Sequence, residues 1–159
     1  MKHFLFSLAL ALFSTLASAA PHPVGAPWPG LTLPDQHDKS VTLAGEKLRV
    51  FVFAAERKPG DWAQDVIEKS HKEAALAGRL ALVFDISRMP SLVTTIFAMP
   101  GFRARPFPIL LARDKAPVDF LPLKEASVTV LTLEAGKVVA IDYANNEAVL
   151  EQLLTEKLK

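Results

Sequence analysis

RVFVFAAERKPGDW, residues 49–62, is the stretch from which the architecture follows. Arg49 to Ala55 is a continuous apolar run rich in Val and Phe. A strand with one wet face alternates apolar and polar residues, whereas a strand covered on both faces does not. The run is therefore expected to be a buried central strand. Lys58-Pro59-Gly60 breaks it. Asp61 is the expected N-cap of the helix that follows, with Gln64 three residues later completing a capping box. Trp62, Val66, Ile67, Ala74 and Ala77 fall on one side at helical spacing, and Gly78 is a suitable stop. Leu80 to Ile86 (LALVFDI) is a second buried strand. A strand, a crossover helix and a strand predict parallel pairing with a right-handed connection.

Upstream, Leu31-Thr32-Leu33 and Val41-Thr42-Leu43 alternate around a loose turn, Pro34 to Lys39, and predict a small hairpin. Before it, Pro21 to Gly30 holds four of the twelve prolines. Proline fixes φ and lacks a donor, so residues 20–30 read as an extended arm. Downstream, Ser91 is the expected cap of a short apolar helix through Met99, ended by Pro100-Gly101. Pro108 to Ala112 is another strand. Val128 to Leu133 and Lys137 to Ile141 flank Glu134-Ala135-Gly136, a hairpin signal. Asn145 or Asn146 caps a last helix to about Leu158, with Val149, Leu150, Leu153 and Leu154 inward. The chain reads as a leader (1–19), the arm (20–30) and one α/β domain (31–159), with a central mixed sheet, flanking helices and an N-terminal hairpin.

The leader has the marks of export. Met1-Lys2-His3 is positive, Phe4 to Phe13 is apolar apart from Ser7, and Ala17-Ser18-Ala19 offers small residues for cleavage after Ala19. The run is shorter than the ~20 residues a bilayer span needs. A periplasmic protein without a membrane span after cleavage is expected. The 159 residues contain no cysteine, which excludes a disulfide, a thiol nucleophile and thiolate zinc. With 18 basic and 17 acidic side chains, the net charge of +1 gives no case for nucleic acid.

The order hairpin, βαβ, helix, strand, hairpin, helix resembles the thioredoxin-like superfamily in its TlpA/peroxiredoxin-type branch. LTLPDQHDKSVTL (31–43) resembles that branch's leading hairpin and RVFVFAAERKPGDW its central strand and active-site loop. Residues 127–154 resemble its closing hairpin and helix. Residues 106–139 (PFPILLARDKAPVDFLPLKEASVTVLTLEAGKVV) are similar to the YtfJ-like periplasmic proteins. The resemblance implies a thioredoxin-like fold. It also implies a Cys-x-x-Cys pair at the start of the helix and a proline before the closing hairpin. Here those places read Ala55 to Asp61 and Lys124-Glu125-Ala126-Ser127, so thiol redox activity does not carry over.

The candidate chemistry is correspondingly thin. His22, His37 and His71 show no metal-ligand spacing, and no catalytic or cofactor site is assigned. Ser91 lacks a nucleophile-elbow setting. No glycine pattern fits a nucleotide. Two places remain for a protein partner or a small anion. One is the former active-site face, with Glu56, Arg57, Lys58, Asp61 and Trp62. The other is the basic stretch Arg103 and Arg105, joined by Arg113, Lys115 and Arg88. The leading reading is an exported, non-catalytic binding or accessory protein. The alternative is a redox-pathway component or enzyme that depends on an external cofactor or a partner's thiols.

Overall fold

The computed structural model describes residues 23–159. The expected export leader, its cleavage site after Ala19, and Ala20, Pro21 and His22 lie outside them. The hairpin is β1 (Leu31–Pro34) and β2 (Ser40–Leu43), paired antiparallel with Leu31 opposite Leu43. The apolar run becomes β3 (Val50–Ala54), buried at every residue. The other strands are β4 (Leu80–Asp85), β5 (Ile109–Ala112), β6 (Val128–Glu134) and β7 (Lys137–Ala144). They form a five-stranded sheet in the order β5-β4-β3-β6-β7. The strand β3 thus sits at the centre, parallel to β4 and antiparallel to β6. The β6–β7 turn puts Ala135 at φ 47° and Gly136 at φ 74°. Two successive left-handed residues match the twist of a tight hairpin, and glycine adopts that conformation without a Cβ penalty.

Successive β3 side chains point to opposite faces. Val50, Val52 and Ala54 pack under the helices, with Ala63, Val66, Ile67, Leu150 and Leu154. Phe51 and Phe53 pack on the other face with Trp28, the hairpin leucines, Val118 and Leu121. The arm is fastened to this side. The Gly25 N–H donates to the Val138 carbonyl (2.7 Å) and the Trp28 N–H to that of Gly136 (2.8 Å). The Trp28 indole N–H donates to the Leu43 carbonyl at 2.8 Å.

The helices depart from the sequence reading in three places. First, α1 spans Arg57–Val66, so Asp61 is not its N-cap and Gln64 closes no capping box. Proline costs nothing in a first turn, where its missing N–H has no helical partner. Gly60 belongs there because the Phe84 ring fills the space beside it: a Cβ would stand 1.8 Å from that ring. Second, a π-turn at Ile67–His71 separates α1 from α2 (Lys72–Leu76). Its extra residue rotates the inner face, so Ala75 is buried while Ala77 is exposed. Third, Ser91 is not a cap. Pro90 precedes α3 (Ser91–Val93), a π-turn follows at Thr94–Ala98, and α4 (Met99–Arg103) continues beyond Pro100-Gly101. Helical pairing restarts at Met99, so Pro100 falls in a first turn and does not break the helix. The last helix, α5 (Glu147–Lys157), is capped by Asn146, whose side-chain oxygen accepts the Val149 N–H at 3.0 Å. Among the described residues no helix is long and apolar enough to cross a membrane.

Candidate functional site

The strand β3 delivers Ala55 and Glu56 to the start of α1. Glu56 is the N-cap residue, with extended backbone (φ −127°, ψ 147°), but its side chain does not cap the helix. It reaches across to accept the N–H of Ala126 at 2.9 Å. Ala126 has φ 52°, a left-handed conformation that costs an L-residue energy. The Glu56 contact therefore ties the helix start to the loop before β6, where the resemblance implied a proline.

The first turn of α1 contains no acid. Arg57 is 75% exposed and pairs with Asp61 at 3.6 Å across one turn. Lys58 is exposed and has no ion pair among the described residues. Pro59 has no N–H, and the Gly60 N–H bonds to the Glu56 carbonyl at 3.1 Å. The amides of Arg57 and Lys58 are left at the positive end of the helix. Trp62 turns inward and packs, half-buried, against the helix-side core.

A groove of about 320 Å³ runs between α1 and the α3–α4 segment. Phe84, Met89, Val93, Phe97 and Phe102 line it, with Arg57, Asp61 and Arg105 at its rim. Phe84 and Phe102 form its floor, with ring centroids 5.1 Å apart. Gln64 is buried below and donates to the Gly60 carbonyl at 3.3 Å. Arg105 closes one side, donating to Glu68 (2.5 Å) and Asp65 (2.7 Å). Burial alone would ease its proton off. Hydrogen bonds and attraction from Glu68 and Asp65 outweigh that and hold its pKa above the usual guanidinium value.

The structure brings Arg57, Asp61 and Arg105 around one groove, with Lys58 and Glu56 beside it. Arg103 is elsewhere, in a second depression across the α3–α4 segment. Its Nε donates to the Gln36 carbonyl at 3.1 Å and it pairs with Asp38 at 3.7 Å. Arg113 pairs with the same Asp38. Lys115 pairs with Asp119 at 2.8 Å. The basic stretch is thus divided among separate acids. Arg88 lies in a third depression at the ends of β3 and β4, with no ion pair among the described residues. His37 is exposed, while His71 lies 3.4 Å from Glu151 on α5. No group of three metal-ligating side chains occurs among the described residues.

The groove's apolar lining was missed in the sequence. Its signal is the run LVTTIFAM (92–99), which carries more apolar residues than one buried helix face can use.

The path of the chain, with β3 and β4 parallel and the β6–β7 hairpin antiparallel beside them, is shared by solved structures. The thioredoxin domain of a thiol-disulfide oxidoreductase from Bacteroides vulgatus aligns with a TM-score of 0.58 at 13% identity, covering 87% of this chain and 99% of that one. The fold is thioredoxin-like. An exposed lipoprotein thioredoxin from Streptococcus pneumoniae aligns with a TM-score of 0.59 at 15% identity, covering 80% of this chain and 98% of that one. A peroxiredoxin-like protein from Aquifex aeolicus gives 0.55 at 12% identity, covering 87% and 90%. At these identities the likeness concerns the fold alone. No family model matches the chain, and no curated protein matches it.

Proposed function

We propose that this chain is an exported, non-catalytic binding or accessory protein, without thiol redox activity, that engages an anionic group of a partner at the start of α1. One observation carries the reading. Where thioredoxin-like oxidoreductases hold their thiols, this thioredoxin-like domain has no cysteine. It has instead exposed Arg57 and Lys58 in a first helical turn that lacks acids, beside an open apolar groove. The helix end favours negative charge, and the two side chains extend that preference outward. The leader at residues 1–19 and the similarity of residues 106–139 to YtfJ-like periplasmic proteins agree with work outside the cytoplasm.

The test is crosslinking in the native envelope followed by mass spectrometry. Protein recovered there is expected to have the mass of Ala20–Lys159. Arg57→Glu with Lys58→Glu is expected to remove the crosslinks seen with the parent, more so at low salt than at high. Unchanged crosslinks would refute the reading, and full-length chain in membranes would refute export.

A further inference from the structure

We infer that a cleft at the far end of the sheet, between the starts of β3 and β4 and the end of α5, binds the phosphate group of a phosphomonoester. This site is separate from the start of α1, which lies at the other end of β3. Arg49 and Arg79 stand immediately before β3 and β4, whose first residues, Val50 and Leu80, are register partners. Their backbones are pinned. The N–H groups of Arg49 and Val50 both donate to the Arg79 carbonyl, at 2.9 and 3.0 Å, and the Leu133 N–H donates to that of Arg49 at 2.7 Å. Two guanidinium side chains therefore spring from adjacent, fixed positions. Like charges on neighbouring strands are destabilising unless something lies between them.

The cleft measures about 360 Å³, and Lys157, Lys159, Glu134 and Thr132 complete its wall with the two arginines. Its acids are Glu134 and the terminal carboxylate of Lys159. Lys157 pairs with Glu156 at 3.5 Å. Arg79 donates to a neutral group, the Leu158 carbonyl. Arg49, Arg79 and Lys159 have no carboxylate partner among the described residues, although two carboxylates belong to the same wall. By contrast, Arg57, Arg103, Arg105 and Arg113 each hold an acid of this chain.

Thr132 is an independent sign of a ligand. It stands opposite Val50 and is 7% exposed, and its Oγ1 is buried without a hydrogen-bond partner among the described residues. Such a hydroxyl costs free energy that a valine of the same shape would avoid. Because Thr132 lines the cleft, an anion oxygen seated there supplies the missing acceptor. Guanidinium forks match carboxylate and phosphate alike. Donors arriving from two strand starts, a helix end and the sheet face outnumber the two oxygens of a carboxylate, whereas a phosphomonoester offers three. The cleft is also roomier than the bare anion, which leaves space for the ester's body.

The probes are glycerol 3-phosphate, glycerate, and phosphatidylcholine vesicles with or without phosphatidic acid, each titrated into the mature chain at low salt. Glycerol 3-phosphate is expected to bind about tenfold or more tightly than glycerate, which has a similar body but a carboxylate. Arg49→Gln is expected to weaken it by roughly tenfold and Thr132→Val by about threefold, the latter without loss of thermal stability. Lys39→Gln removes the same charge from an exposed turn elsewhere and is expected to change nothing. Equal binding of glycerol 3-phosphate and glycerate would overturn the inference. So would unchanged binding in Arg49→Gln or Thr132→Val, or an equal loss in Lys39→Gln. Binding of the phosphatidic acid vesicles alone, lost in Arg49→Gln, would identify a lipid as the source of the phosphate. Binding of glycerol 3-phosphate without the vesicles would identify a soluble ester, and binding of neither would overturn the site.

Discussion

Two helical crossovers join the parallel strands β3, β4 and β5, and each contains a π-turn. The first hides its apolar side chains: Ile67, in its π-turn, is fully buried beneath the helix layer. The second displays them, and Ile96 in its π-turn is half exposed. Two crossovers of one chain, with the same kind of turn, give opposite outcomes. Apolar exposure in the second crossover is therefore not imposed by the fold. Burial of one helix stripe suffices for packing, and Met99 and Phe102 already supply it there.

Ile67→Ala probes the covered crossover and is expected to cost about 2–5 kcal/mol in denaturant unfolding, because no solvent can fill the void. A loss below about 1 kcal/mol would erase the contrast. Gly60→Ala comes next. Its Cβ must displace the Phe84 ring, at an expected ~1–3 kcal/mol, and the same displacement should deform the groove floor. A Gly60→Ala protein as stable as the parent would show that the ring yields freely. Arg105→Ala severs the contact between the two crossovers and is expected to cost about 1 kcal/mol, less at high salt. The smallest effect belongs to Ile96→Ala, expected within ~0.5 kcal/mol of the parent. A cost near that of Ile67→Ala would mean that the second crossover packs this side chain in solution.

Much of the frame was legible. The unbroken apolar run before Ala55 placed β3 at the centre, and the Glu134-Ala135-Gly136 turn located the last hairpin. What escaped depends on residues distant in sequence. Pro59-Gly60 reads as a breaker until the ring of Phe84 is seen occupying the space a Cβ would need. Neither π-turn has a residue signature, because packing decides where the extra residue is absorbed, and so Ala75 replaced Ala77 on the inner face. Arg103 and Arg105 look alike on paper. Their acids lie far along the chain, at Asp38 for one and at Asp65 and Glu68 for the other, and only folding assigns them.

The attachments of the early chain bear on how the molecule avoids its neighbours. Gly25 to Trp28 hydrogen-bond along the outer side of β7. At the opposite border of the sheet, Gln36 accepts the Ile109 N–H at 2.8 Å and donates to the Phe107 carbonyl at 2.8 Å. Both raw edges of the sheet are thus blunted by residues that precede β3. An unpaired sheet edge is a template for aggregation. The edge at β7 exists only once the C-terminal hairpin has formed, so its guard must wait for nearly the whole chain. Trimming the chain past Trp28 would spare every strand of the central sheet and yet leave a protein prone to stick to its own copies.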